Sequence, residues 1–323
     1  MKIVLAGGSG LLGTLLARRF HRDGNDVVIL SRRPLPAPWR MAHWDGESLN
    51  EWISELEGAD VLLNLAGRSV NCRYTQAHRR EIKDSRIQST RILGRAVQNL
   101  RHPPRVWLQS STATIYAHRF DAANDEATGV IGGQEPGAPD TWRFSIDVAT
   151  SWEQAFEEAR TPNTRKVKMR SAIVMSTEQG GAFNLLLRLT RAGLGGRAGD
   201  GGQYVSWIHE EDFVRAISWL IERGDISGAV NLASPHPLPN AEFMRRLRQA
   251  CGRSFGLPAS AWMLEIGAFF LRTETELILK SRRVVPERLL ARGFTFRFPT
   301  WPEAAQDLCD RWRKPRSMAE AAA

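Results

Sequence analysis

Lys2-Ile3-Val4-Leu5-Ala6-Gly7-Gly8-Ser9-Gly10-Leu11-Leu12-Gly13 opens the chain, and its reading decides the fold. The apolar run from Lys2 to Ala6 has the length and composition of a buried strand. Leu11 to Arg22 follows at helical spacing, with Leu12, Leu15, Leu16 and Phe20 on its apolar side. Between strand and helix, glycine fills the first, fourth and seventh places of a G-x-x-G-x-x-G turn. Gly7 lets the chain leave the strand sharply, Gly10 removes a side chain where an anion must approach the backbone, and Gly13 lets the helix pack close to the sheet. Free N–H groups in the first helical turn, with the helix dipole, then face a diphosphate. This context predicts a dinucleotide site built from Gly7, Ser9, Gly10, Leu11, Leu12 and Gly13.

The second strand, Asp26 to Leu30, bears on which dinucleotide. Sites of this kind that select NAD place a carboxylate at its end, where it accepts from the ribose hydroxyls. Here Ser31, Arg32 and Arg33 stand in that place. A hydroxyl can donate, and a guanidinium can stack on adenine or clamp a 2′-phosphate. Ser31 and Arg32 therefore predict NADP(H).

Beyond this unit, short β-branched runs keep alternating with amphipathic stretches. Strands are expected at Met41 to Trp44, Asp60 to Leu65, Arg105 to Ser110 and Lys166 to Met175. Helices are expected at Gln76 to Leu100 and Val148 to Glu158. Such alternation implies right-handed crossovers and an α/β, doubly wound, mostly parallel Rossmann sheet. After Ser176 the rhythm changes. A helix to Arg191, a glycine-rich stretch from Gly193 to Gly202 and an extended piece from Gln203 to Ile208 precede a helix over Glu210 to Arg223 and a strand over Ala229 to Ala233. Helical patches follow at Asn240 to Cys251, Ala259 to Leu271, Glu274 to Ser281 and Pro286 to Arg292, with a frayed tail over Ser317 to Ala323. The organisation this predicts is a nucleotide-binding domain over 1–175, rejoined by 209–233, and a smaller, largely helical C-terminal substrate lobe from 176–208 and 234–323.

Composition narrows the function classes. A formal charge of +9 draws anions. The basic residues are nevertheless spread along the chain, and no nucleic-acid-binding module accompanies them, so the expected partner is a small molecule rather than nucleic acid. Cys72, Cys251 and Cys309 form no C-x-x-C pair, and no histidine, His78, His102 and His118 included, has metal or triad spacing. No metal site is expected. No apolar stretch reaches the ~18 residues of a membrane helix, and the N-terminal apolar run is too short for a signal segment, so a cytoplasmic, reducing compartment is expected.

The opening turn, Asn64-Leu65-Ala66-Gly67 and Ser110-Ser111-Thr112-Ala113-Thr114-Ile115-Tyr116 resemble the extended and atypical short-chain dehydrogenase/reductases. A narrower resemblance is to the NAD(P)-dependent epimerase family whose members end in a small domain of unknown function. It rests on Glu81-x-x-x-Ser85-Arg86, Trp207-Ile208-His209 with Asp212, Asn231 with Pro235, Asn240-Ala241-Glu242-Phe243, and Arg283-Val284-Val285-Pro286 with Gly293-Phe294 and Phe298-Pro299. The resemblance implies that Leu65 and Ala66 line the cofactor, that Glu81 and Arg86 reach it from the following helix, and that Val174 lies near the nicotinamide. Read without it, Glu81 and Arg86 are equally an ion pair on one helix face.

Enzymes of that superfamily pair a tyrosine with a lysine four residues on, and the phenolate moves a proton while hydride moves to or from the nicotinamide. The resemblance puts Thr112 where a hydroxyl orients the substrate oxygen. At the tyrosine and lysine positions, however, stand Ser145 and Ala149, or Phe144 and Val148 one residue off, with Glu153 setting the register. Tyr116 is the candidate substitute, read against the alternative of a core tyrosine. His209 and Asp212 read as anchors, Gln203 as a residue facing the ligand, and Arg73 and Tyr74 as bordering the cleft. Two functions stay open: an NADP(H)-dependent oxidoreductase or epimerase acting on an anionic small molecule, and a non-catalytic NADP(H)-binding sensor or regulator.

Overall fold

The predicted alternation is realised in the computed structural model, which describes residues 1–260, 263 and 276–314. Strands β1 (Lys2–Ala6), β2 (Asp26–Ser31), β3 (Arg40–His43), β4 (Val61–Asn64), β5 (Val106–Thr112), β6 (Arg165–Ser171) and β10 (Gly228–Leu232) make one seven-stranded sheet. Its order is β10-β6-β5-β4-β1-β2-β3, and every neighbouring pair is parallel. The strand order reverses between β1 and β4, and in open α/β sheets the crevice at that reversal is where ligands bind.

A parallel sheet must be covered on both faces, and the side chains of β1 alternate accordingly. Ile3 and Leu5 join a core with Leu16 and Phe20 of α1 (Leu11–Arg22) and Phe213, Ile217 and Leu220 of α5 (Glu210–Glu222). Val4 and Ala6 face the opposite core, with Leu93 and Val97 of α2 (Gln76–Gln98) and Phe156 of α3 (Asp140–Glu158). The helix expected from Val148 begins about two turns earlier, at Asp140 after Pro139.

The strand expected over Lys166 to Met175 is two strands. At Ala172 the chain changes partner: the Ala172 N–H donates to Leu232 O, and the Ile173 N–H to Ser206 O. The continuation β7 (Ile173–Met175) leaves the main sheet and pairs with β9 (Trp207–His209). Composition could not show this break, because both halves are β-prone and partly buried.

A third core joins Met175, Trp207, Phe183 and Leu187 of α4 (Ala182–Arg191), Phe243 and Leu247 of α6 (Asn240–Ala250), and Trp301 and Leu308 of α9 (Trp301–Arg313). Helix α9 is not among the predicted helices, although Trp301, Ala304, Ala305, Leu308 and Cys309 recur at helical spacing and are all buried. Phe243 and Trp301 stack with ring centroids 4.0 Å apart. Cys251 and Cys309 approach to 3.3 Å between sulfurs and are free thiols. His209 caps α5, its Nδ1 accepting from the Glu211 N–H, and its Nε2 lies 3.1 Å from Asp307. Asp212 accepts from the Arg297 and Phe298 N–H groups. Both residues thus tie α5 to the C-terminal segment, as anchors.

Within the predicted segment Glu274 to Ser281, α7 covers Glu276–Leu279, with 274 and 275 outside the described residues, and the segment at Pro286 shortens to α8 (Glu287–Ala291). The predicted helix over 259–271 lies outside the described residues apart from 259, 260 and 263, and the tail over 317–323 lies wholly outside them. Among the described residues no helix is long and apolar enough to cross a membrane, and no group of three His, Cys, Asp or Glu side chains could hold a metal.

Candidate functional site

The three glycines of the opening turn have different physical reasons. Gly7 has φ +72°, and a Cβ there would meet the Ala66 backbone at 2.6 Å. At Gly13 a Cβ would lie 2.2 Å from the carbonyl oxygen of Gly8, so α1 packs directly on the turn. Gly10, the residue before α1, has nothing within 4 Å of such a Cβ. No side chain caps this helix and its first turn holds no acid, so its leading N–H groups have no intrahelical acceptor. An anion at this spot would meet bare backbone amides and the positive helix end.

Around the turn the structure gathers the other residues singled out at the ends of β2 and β4. The hydroxyls of Ser31 and Ser9 lie 3.1 Å apart, and Ser31 Oγ accepts from the Arg33 N–H. Arg32 and Arg33 are exposed and make no ion pair among the described residues. Ala66 touches Gly7 and donates its N–H to Asn64 Oδ1, while Asn64 itself is buried and held by Thr90 and Gln109. Leu65 packs against the core beneath.

A separate cavity of about 230 Å³ opens at the carboxyl ends of β5 and β6, under α2 and α3. Its polar and aromatic lining includes Tyr74, Arg86, Thr112, Ser145, Trp152, Glu276 and Arg282. Thr112 Oγ1 accepts from the Thr114 N–H. Arg86 donates to the carbonyls of Arg68 and Ile82 and lies over the Trp152 ring, with no carboxylate partner among the described residues. Burial pushes its guanidinium down to about 10, the nearby Tyr74 acting in the opposite sense. Ser145 donates to Glu276. Arg282 is lowered by burial, with Glu276, 3.8 Å away, and Tyr74 opposing. Beside it Lys280 is pushed down to about 8 by burial and by the charge of Arg282, and its Nζ donates to Thr114 O.

Several predicted site residues stand elsewhere. Tyr116, the candidate substitute acid, is buried outside the cavity: its hydroxyl donates to Asn231 Oδ1 and accepts from Arg170. Burial raises its phenol against the charge of Arg170. It is a core tyrosine with a satisfied hydroxyl. Tyr116→Phe should cost about 1–3 kcal/mol, since Asn231 and Arg170 each lose a buried partner, and a urea unfolding curve would measure it. Glu81 does not pair with Arg86. It is exposed and bonded to Arg68, which removes the helix-face pair as the account of these two residues. Val174 packs on the main core, and Ile173 beside it lines the cavity instead. Gln203 is buried and donates to Ala198 O and Ile278 O, so it braces the loop rather than facing the cavity. Of Arg73 and Tyr74, only Tyr74 reaches the lining.

Sequence reading missed Glu276 and Arg282 altogether. They follow Ser145 by more than 130 residues, and Arg282 reads in sequence only as half of a short basic run. What brings them in is the C-terminal segment crossing the cavity, where Ser206 Oγ donates to Arg282 O and Ser281 Oγ accepts from the Tyr204 N–H.

Comparison with known proteins agrees with this architecture. The NAD dependent epimerase/dehydratase family model matches residues 3–233, and that of a domain of unknown function, DUF1731, matches residues 259–308. The human epimerase family protein SDR39U1 is 30% identical over 313 residues, which cover 95% of this chain and 99% of that protein. The crystal structure of human SDR39U1 (isoform 2) with NADPH superposes with a TM-score of 0.83 at 29% identity, over 96% of this chain and 99% of that one. A nucleoside-diphosphate sugar epimerase from Corynebacterium glutamicum superposes with a TM-score of 0.73 at 27% identity, over 95% of this chain and 57% of its own. With its glycine turn, reversing sheet and C-terminal segment all inside these matches, the chain belongs to the NAD dependent epimerase/dehydratase family.

Proposed function

We propose that the chain binds NADP(H) across the crevice between β1 and β4 and uses it to oxidise or reduce a small anionic substrate held in the cavity. The observation that carries this reading is the open position at Gly10, set against the crowding at Gly7 and Gly13. Packing explains two of the glycines, whereas Gly10 leaves open space at the head of α1 that a ligand can enter. In this reading Ser9, Leu11 and Leu12 complete the diphosphate cradle, Leu65 and Ala66 flank the ribose side, and Ser31 with Arg32 takes the 2′-phosphate. The cofactor crystallised with human SDR39U1 is in keeping with it.

The substrate class follows from charge. The Arg86 guanidinium is part-buried and has no counter-ion among the described residues, and charges withdrawn from water are normally paired. A carboxylate or phosphate entering the cavity would supply the missing charge, with Thr112 orienting the reacting oxygen. Nucleotide binding is then assigned to 1–175 with 209–233. Substrate enclosure is assigned to 176–208 and 234–323, the part that brings Glu276 and Arg282 to the cavity.

Cofactor choice is tested by calorimetric titration of NADPH and NADH. Wild type should prefer NADPH by about tenfold or more, the weight of one charge-assisted phosphate contact. Arg32→Ala should remove most of that preference. Equal affinities in the wild type would refute the assignment. A second reading, a non-catalytic NADP(H) sensor, is favoured by Ser145 and Ala149 standing where a tyrosine and a lysine would be needed. Tight NADPH binding without oxidation across a panel of carbonyl substrates would favour it.

A further inference from the structure

We propose that Tyr74, on the loop before α2, exchanges the proton with the substrate oxygen in this cavity, with Arg86 and Arg282 steadying its phenolate. The inference rests on the reading of the cavity as a redox site, and it supplies the group that α3 lacks. Of the three tyrosines, Tyr116 is committed to Asn231 and Arg170, and Tyr204 lies on β8 (Tyr204–Val205) under Arg283. Among the described residues, Tyr74 is the one tyrosine that lines the cavity, and no lysine or histidine does.

Its placement is built rather than incidental. Thr75 caps α2 by accepting from the His78 N–H, and Arg79 Nε donates to the Tyr74 carbonyl, which pins the backbone immediately after the ring. The ring meets Phe144 edge-on, with centroids 5.1 Å apart. Phe144 is one of the two residues that could occupy the family's tyrosine position, so the Tyr74 phenol stands beside the place that side chain would fill.

Positive charge is supplied as well. Arg86, part-buried on α2, and Arg282, buried on the C-terminal segment, line the same cavity as Tyr74. These two guanidinium groups take the part of one lysine in the proposal. Glu276 faces the same space, where the Ser145 hydroxyl donates to it and Arg282 lies 3.8 Å away.

Bound NADPH would supply the hydride. In the reductive direction the carbonyl carbon gains that hydride, and the C=O π pair moves to oxygen. The Tyr74 O–H bond breaks as an O–H bond forms on the substrate. The cofactor ends as NADP+, and solvent returns a proton to the phenolate.

Tetranitromethane nitrates phenolates, so peptide-mapped nitration of the full chain without nucleotide reads this phenol directly. Tyr74 should react about tenfold faster than the similarly half-buried Tyr204, and Arg86→Gln should slow it several-fold. Where wild type reduces a carbonyl of the panel, Tyr74→Phe should lower kcat by about 10²-fold or more while NADPH binding stays within about twofold. Nitration of Tyr74 no faster than that of Tyr204, or full turnover by Tyr74→Phe, would overturn the proposal. Failure to bind NADPH would instead sink the cofactor reading and leave the nitration result standing.

Discussion

Gly10→Val should fold like the wild type and lose dinucleotide binding by about 100-fold or more, whereas Gly13→Ala should fail at the level of the fold. A motif-level argument cannot separate these two glycines. A Cβ at Gly10 meets nothing within 4 Å, and the residue has extended backbone that valine readily adopts. The melting temperature should therefore move by no more than about 3 °C. The valine would occupy the space where a diphosphate contacts bare amides, and 100-fold in affinity corresponds to about 2.7 kcal/mol.

Gly13 is the reverse case. Its added Cβ would lie 2.2 Å from the Gly8 carbonyl oxygen and 2.4 Å from the Gly8 Cα, both backbone atoms that cannot rotate aside. Helix α1 would have to lift off the turn, taking Leu16 and Phe20 out of their core. A loss of about 3 kcal/mol or more is expected, at the upper end of overpacking effects. Thermal melts and calorimetry on the two variants decide both halves. A Gly10→Val protein that binds NADPH normally would contradict the site assignment.

The second large effect concerns Glu153, whose part is structural. Arg170 grips it through two bonds of 2.8 Å, Ser111 donates to it at 2.6 Å, and Lys168 lies 3.6 Å away. Arg170 also donates to Tyr116 and lies over its ring, so this group fastens α3 to β5 and β6 directly behind the cavity. Glu153→Ala would leave Arg170 buried beside an empty pocket. Removing one partner of a buried pair costs about 3–5 kcal/mol, so the midpoint of urea unfolding should fall steeply.

The same residue carries a pH dependence of known sign. Burial alone would raise the Glu153 carboxyl, but the bonds and charge of Arg170, with Ser111 and Lys168, outweigh it and hold the group below its ordinary 4.5. A depressed folded value contributes stability that is fully present above the unfolded value and is lost as pH falls through the folded one. The stability gap between wild type and Glu153→Gln should therefore be constant above about pH 5 and shrink below pH 4.5. A gap that widened with acid would show the opposite coupling.

Much of the fold was legible because its signals are local. The run Lys2 to Ala6 is apolar throughout, since a parallel strand is covered on both faces, and the glycines sit at the spacing one turn requires. The places where reading failed depend on partners far along the chain. Ala172 breaks a β-prone run only because Leu232 and Ser206 offer competing acceptors. Helix α9 has clean periodicity, yet its meaning comes from Phe243 and Trp207, against which Trp301 packs.

By itself, the sequence determined the strand–turn–helix unit and the parallel alternation around it. Each follows from residues within a few positions of one another, where backbone geometry and side-chain spacing act directly. Only the tertiary structure decided that Tyr116 belongs to the core and Tyr74 to the cavity, and that Glu276 and Arg282 close the cavity from the far end of the chain. Burial, charge pairing and hydrogen-bond satisfaction are properties of neighbours in space, and these neighbours meet only once the C-terminal segment has folded back across the carboxyl ends of β5 and β6.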